Sequence, residues 1–340
     1  MIYRSKAPLR IGLAGGGTDV SPYSDLYGGA ILNTTISLSA YASIEIIDEP
    51  KIIVEALDRK EKQILKLSNE LPIDGTLDLL KGVYNRIAKD FPFPLKGMRI
   101  STFVDAPAGS GLGTSSTLVV AILGAFVEML KLPLGDYDIA HLAYQIERND
   151  LKLSGGKQDQ YAATFGGVNF MEFYDQDKVI VNPLRIRPEY MNELENNLVL
   201  YFTATSRESA KIINEQVKNV NNKNEKSIEA MHQLKEQAKM MKEALLKGKL
   251  SQFGGILDFG FQQKRKMADN ISNSSIEEIY DAAKLAGATG GKISGAGGGG
   301  FMIFYCPGNH RYAVIESLLK FGGEIKNYSF TNDGLKTWTV

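Results

Sequence analysis

The stretch Asp105-Ala-Pro-Ala-Gly-Ser-Gly-Leu-Gly-Thr-Ser-Ser-Thr117 has the residue types to bind an anion. Glycines at 109, 111 and 113 let successive backbone N–H groups turn toward one charge with no Cβ in the way. Thr114, Ser115 and Ser116 then place hydroxyls where a helical pattern begins, at the positive end of the helix dipole. A strand-like run, Met98 to Val104, leads in, and an almost wholly apolar helical run, Thr117 to Leu130, leads out. A Gly/Ser-rich turn without a ligand is the plain alternative. The order of strand, glycine loop and hydroxyl-lined helix start favours a phosphate cradle, because a helix N-terminus inside a core needs an anion for its free N–H groups.

Three other stretches carry chemistry. Gly15-Gly-Gly-Thr-Asp19 ends a strand-like segment and sets a carboxylate beyond bare backbone, where an Asx turn before Pro22 is the competing reading. Glu147 sits on the helical pattern Asp136 to Leu151, and the next loop, Ser154-Gly-Gly-Lys-Gln-Asp-Gln160, adds Lys157 and Asp159. Two acids and a lysine near a phosphate cradle suit metal binding and base catalysis. Gly287 to Phe301 is the most glycine-dense part of the chain, and ordering it costs enough backbone entropy to imply a tight fit rather than a linker.

The elements that must hold these groups fit a chain of 340 residues, which is long enough for two domains. Residues 2–14 read as a strand, 31–47 and 52–56 as a β meander beside it, and 77–88 as a helix closed by Pro92 and Pro94. Short strands follow at 167–173, 179–181 and 197–203, with a domain change at 185–195. Helices at 207–220, 225–246 and 250–267 look like an ordinary solvated bundle, with Met240-Met241 filling core; a helix at 315–319 and a strand at 324–330 complete the second domain. Lys+Arg and Asp+Glu balance at 39 each, so no bulk field favours nucleic acid or an anionic membrane. The single Cys306 excludes an intrachain disulfide, and the three histidines lack zinc-site spacing, so any metal is a hard ion on oxygens. With no signal-like start and no span-length apolar run, the expected protein is soluble and cytoplasmic.

A Walker loop would need a lysine before Ser115, and a dinucleotide fingerprint would want glycine at 114. The chain instead resembles the GHMP kinase superfamily in three motifs of matching order and distance. These are Lys6-Ala-Pro-Leu-Arg-Ile-Gly-Leu-Ala-Gly-Gly-Gly-Thr-Asp19, Pro107-Ala-Gly-Ser-Gly-Leu-Gly-Thr-Ser-Ser116 and Lys292-Ile-Ser-Gly-Ala-Gly-Gly-Gly-Gly300. The resemblance implies an α+β protein. An N-terminal α/β domain of the ribosomal S5 domain 2-like type (1–190) would join a ferredoxin-like C-terminal domain (191–340), with the active site in the cleft between them. It implies ATP and Mg²⁺ as cofactors. Pro107, Gly109, Ser110, Gly111, Leu112, Gly113, Thr114, Ser115 and Ser116, with Gly297, would hold ATP phosphates; Ser115, Ser116 and Glu147 would reach the metal. Asp159 would be the catalytic base, assisted by Lys157 and Arg10. Gly16, Gly17, Thr18 and Asp19 would bind the acceptor, closed over by Gly295 and Ala296.

Galactokinases carry Gly-Glu-His-Thr-Asp in the first motif, whereas Gly15-Gly-Gly-Thr-Asp19 lacks the Glu and His and leaves room for a larger sugar. With Gly155-Gly-Lys-Gln-Asp-Gln160 and Phe165-Gly-Gly-Val-Asn-Phe170, the motifs most resemble the family's D-glycero-D-manno-heptose 7-phosphate kinases. These phosphorylate the C1 hydroxyl to give a 1,7-bisphosphate for GDP-heptose and surface polysaccharide. Such an acceptor needs a second basic site, for which Arg10, Arg148, Lys157 and Arg207 are candidates. The implied partners are a small sugar phosphate and ATP, with no nucleic acid and no membrane, and a homodimer is compatible. A C1 kinase of an unphosphorylated sugar, L-fucokinase-like, and a catalytically silent sugar-phosphate or nucleotide binder on the same fold stay open.

Overall fold

The structure, a computed structural model, describes residues 1–204 and 209–340. The chain opens with β1 (Ile2–Ala14), α1 (Tyr23–Tyr27), β2 (Gly29–Ile46), β3 (Lys51–Ala56), β4 (Glu61–Lys66), α2 (Asp78–Asp90), β5 (Met98–Val104) and α3 (Thr114–Leu130). Then come α4 (Asp136–Gln145) with a π-helical turn (Ile146–Asp150), α5 (Gln158–Phe165), β6 (Val168–Phe173), β7 (Val179–Pro183), α6 (Pro188–Asn197) and β8 (Leu198–Phe202). The remainder is α7 (Ser209–Asn221), α8 (Glu225–Leu246), α9 (Phe253–Lys264), α10 (Ser274–Leu285), β9 (Gly290–Ile293), β10 (Phe301–Tyr305), α11 (Arg311–Leu319), β11 (Glu324–Ile325) and β12 (Lys336–Thr339). No helix among the described residues is long and apolar enough to cross a membrane.

Among the described residues an eight-stranded sheet runs β12-β1-β2-β5-β3-β4, with β6 and β7 continuing from β2. The long β2 serves two neighbours on one edge: its first half pairs with β6 and its second half with β5. The expected meander is therefore interrupted, since β5 inserts between β2 and β3 and lies parallel to β3. Under this sheet α3 is buried at every residue from Ser116 to Phe126, as its nearly continuous apolar run demands.

The second sheet, β11-β8-β10-β9, is antiparallel throughout and arises from a β-helices-β-β-helix-β order, the ferredoxin-like arrangement. Its helices α8 and α9 do not stand apart as a solvated bundle. Ala238, Met241, Phe253 and Leu257 share a core with Leu9, Ile11 and Leu13 of β1 and with Phe301 and Ile303 of β10, so the two units pack as one body. Met241 fills this core, whereas its neighbour Met240 is exposed.

The chain end departs from expectation. Residues 324–330 form only the short β11 and a single bridge from Phe330 to Ile36, and β12 returns to pair with β1 of the first sheet. The polar run Lys336-Thr-Trp-Thr339 has no buried face to announce a strand.

The two units meet through their glycine loops. Ser294 Oγ donates to the Gly111 carbonyl (2.8 Å) and Phe301 N–H to the Ser110 carbonyl (2.8 Å). Gly111 has φ +83°, and a Cβ there would lie 2.7 Å from the Ser294 carbonyl oxygen. Neither that backbone oxygen nor the left-handed conformation tolerates a side chain. Gly111→Ala is expected to lower unfolding stability by about 1–3 kcal/mol and to weaken nucleotide binding, measurable by urea unfolding and by calorimetric titration with ATP.

Candidate active site

Gly113 starts α3 in a left-handed conformation with no side-chain cap, so the first-turn N–H groups stay open at the helix's positive end. They face a cleft of about 370 Å³ lined by Gly109, Gly111, Gly113, Thr114, Ser115 and Ser116 on one side and by Gly295 and Ala296 on the other.

Asp159, in the first turn of α5, lines this cleft and is gripped by Arg10 from β1. Arg10 Nε and Nη2 reach Asp159 Oδ1 at 2.7 and 2.6 Å, while Nη1 donates to the Gly111 carbonyl at 2.6 Å. One buried guanidinium thus fixes a carboxylate and the glycine loop together. Asp19 is also buried, and its Oδ2 accepts the N–H groups of Lys157 (2.9 Å) and Gln158 (3.0 Å), capping α5. A Cβ on Gly156 would lie 1.9 Å from that oxygen, which is why the loop is glycine there. Burial raises the Asp19 carboxyl above its ordinary value, as does Asp159, against the opposing Gln158 N–H and Arg10 charge.

Glu147 projects from the π-helical turn and is 1% exposed. Ser115 Oγ donates to its Oε1 at 3.1 Å, and Gln160 donates both to Glu147 Oε2 and to Ser116 Oγ (3.1 Å). A buried carboxylate beside two hydroxyls at an uncapped helix start is an oxygen donor set suited to Mg²⁺, which usually takes one or two carboxylates plus phosphate and water. Among the described residues no group of three His, Cys, Asp or Glu forms a metal cage.

Several expected site residues lie elsewhere. Lys157 points away from the cleft: its ammonium pairs with Asp25 (3.2 Å) and Asp177 (3.0 Å), and only its backbone N–H serves the site, through Asp19. The Thr18 hydroxyl is spent inside the first-motif turn, its single proton shared between the carbonyls of Gly15 (2.8 Å) and Ala30 (3.0 Å). Arg148 does line the cleft, yet its guanidinium props the following loop through the carbonyls of Leu153 (3.3 Å) and Gly156 (3.1 Å). Gly17 borders the cleft, while Gly16 backs onto Lys264. Pro107 is exposed, and Ser110 and Leu112 are buried in the loop outside the cleft wall. Gly297 packs on Ile271 and is not part of the cleft lining. Arg207 lies outside the described residues.

Two lysines were missed. Lys264 ends α9 and lines the cleft, its ammonium donating to the Gly295 carbonyl; Lys292 of β9 donates to the Gly12 carbonyl at 2.8 Å. Both are buried. Burial pulls Lys264 down to about 8, Arg10 adding to the effect and Asp19 opposing it, and pushes Lys292 well below the ordinary lysine value with help from Lys264 and Arg10. In sequence Lys264 sits in a charge-laced run, Lys264-Arg-Lys266, that reads as solvated surface.

An uncapped helix start, a carboxylate locked by arginine and two glycine loops closing one cleft fit a phosphotransferase of the small-molecule kinase class. The chain belongs to the GHMP kinase family: residues 78–167 match the GHMP kinases N terminal domain and residues 241–324 the GHMP kinases C terminal domain. It is 47% identical over 337 residues, 99% of both chains, to D-glycero-alpha-D-manno-heptose 7-phosphate kinase of Campylobacter jejuni. A crystal structure described as a D-glycero-D-manno-heptose 1-phosphate kinase from Bacteroides thetaiotaomicron superposes with a TM-score of 0.85 at 47% identity, covering 99% of each chain. L-fucokinase/L-fucose-1-P guanylyltransferase of Bacteroides fragilis is 26% identical over 92% of this chain and 35% of that longer protein.

A lysine whose folded value lies below its unfolded value near 10.5 costs stability at low pH, and the cost is relieved as pH rises through about 8. Relative to Lys264→Met, the wild-type protein without ligands is expected to gain on the order of 1 kcal/mol between about pH 7 and 9, read as the difference between their unfolding curves.

Proposed function

We propose that this protein transfers the γ-phosphoryl group of ATP to the C1 hydroxyl of D-glycero-D-manno-heptose 7-phosphate, giving the 1,7-bisphosphate and ADP for GDP-heptose synthesis. The observation that carries the reading is Asp159, held by Arg10 on one oxygen at the mouth of the glycine loop. The acceptor hydroxyl gives its proton to the free Asp159 oxygen, its own oxygen bonds to the γ-phosphorus, and the bond from that phosphorus to the β-phosphate bridge breaks. Asp19, with one oxygen committed to the N-terminus of α5, keeps its place beside the acceptor's hydroxyls. The N–H groups of Gly109, Gly111 and Gly113 to Ser116 receive the phosphates, and Arg10 stands where charge develops during transfer. Mg²⁺ at Glu147, Ser115 and Ser116 would neutralise phosphate charge.

The heptose acceptor is supported by the relative from Campylobacter jejuni, whose name specifies a 7-phosphate acceptor, and by the open first motif Gly15-Gly-Gly-Thr-Asp19. Turnover measured by coupled ADP release should be high with heptose 7-phosphate and low with heptose 1-phosphate, unphosphorylated heptose and L-fucose. A preference for L-fucose would replace the heptose reading; tight ATP binding with no turnover on any acceptor would replace the kinase reading.

Asp159→Asn is expected to lower kcat by roughly 10²- to 10⁴-fold while leaving the ATP dissociation constant within about twofold. Near wild-type turnover in that variant would remove Asp159 as the base.

A further inference from the structure

Among the described residues the cations lining the cleft are Arg10, Arg148 and Lys264. Arg10 is matched by Asp159 and the Gly111 carbonyl, and Arg148 by two loop carbonyls with Glu147 at 3.7 Å. Lys264 differs. The residue is 3% exposed, and among the described residues the hydrogen-bond acceptor of its ammonium is a neutral carbonyl, that of Gly295. An ammonium removed from water without a carboxylate partner is costly unless an anion joins it. Its position is also specific: a Cβ on Gly16 would lie 3.8 Å from Nζ, so the ammonium rests between the first and third glycine motifs.

We propose that Lys264 is a phosphoryl-binding residue of this cleft, its ammonium pairing with phosphoryl oxygens of a bound substrate while it fastens the Gly295 loop. The inference rests on the sugar-kinase reading and deepens it. The phosphoryl group is either the acceptor's own phosphate or the one in transfer, and kinetics separate the two. A lysine can donate to the Gly295 carbonyl and to a phosphoryl oxygen at once, since the ammonium carries three N–H groups.

The test uses Lys264→Gln, which keeps a donor for the Gly295 carbonyl and removes the charge, and Lys264→Arg, which keeps the charge. If Lys264 holds the acceptor's phosphate, Lys264→Gln raises KM for heptose 7-phosphate by about 10- to 150-fold, lowers kcat/KM for unphosphorylated heptose far less, and Lys264→Arg restores part of the loss. If it holds the phosphoryl group in transfer, kcat falls with both acceptors and KM values hold. The proposal is overturned if Lys264→Gln stays within about twofold of wild type on both acceptors, or loses rate only in proportion to its unfolded fraction. Should wild type fail to turn over heptose 7-phosphate, the heptose reading fails by itself. The lysine is then read with millimolar inorganic phosphate, which should raise the Tm of wild type and not that of Lys264→Gln; equal shifts would overturn the lysine's role.

Discussion

The structure depends on a backbone-to-backbone contact between the Gly111 and Gly295 loops. A Cβ on Gly295 would lie 2.7 Å from Gly111 Cα, so the approach exists only because neither loop carries a side chain there. From that contact follows the shape of the site. The cleft-facing glycine loop and helix start come from the first unit, the covering loop from the second, and the shared apolar core behind them fixes the angle between the two. The entropy lost in ordering so many glycines is offset by hydrogen bonds across the joint, from Ser294 to Gly111 and from Phe301 to Ser110.

Electrostatics follow the same plan. Arg10, Lys264 and Lys292 are buried close together: Arg10 lowers both lysines and Lys264 lowers Lys292 further, while Asp19 of the first motif opposes the shift of Lys264 and Asp159 of α5 pairs with Arg10. Such a cluster holds opposed charges in a low-dielectric cleft with fixed dipoles around them, which is where a phosphoryl group's charge is best stabilised. Glu147 stands slightly apart, accepting from the Ser115 hydroxyl and the Gln160 amide, with Arg148 Nη1 3.7 Å from its Oε1.

Residues with local geometry were legible in the sequence. The glycine loop, Asp19 and Asp159 are each tied to a helix start or a tight turn, and such features leave a local residue pattern. What could not be read was direction. Lys157 and Asp159 are two residues apart on one loop, yet one ammonium turns to Asp25 and Asp177 while the carboxylate meets Arg10. Lys264 was hidden because helical charge patterns do not say which lysine faces a neighbouring unit. The insertion of β5 between β2 and β3, and the return of β12 to β1, are long-range pairings with no local signal, the latter on a short polar strand.

The central claim is that this cleft moves phosphate onto a sugar's anomeric oxygen. ³¹P NMR of the product formed from heptose 7-phosphate, ATP and Mg²⁺ tests it most directly. The account predicts a new monoester resonance coupled to the anomeric proton, with the 7-phosphate signal retained and ADP formed in equal amount. ADP formed with no phosphorus-to-H1 coupling, or a new phosphate on another carbon, would contradict it.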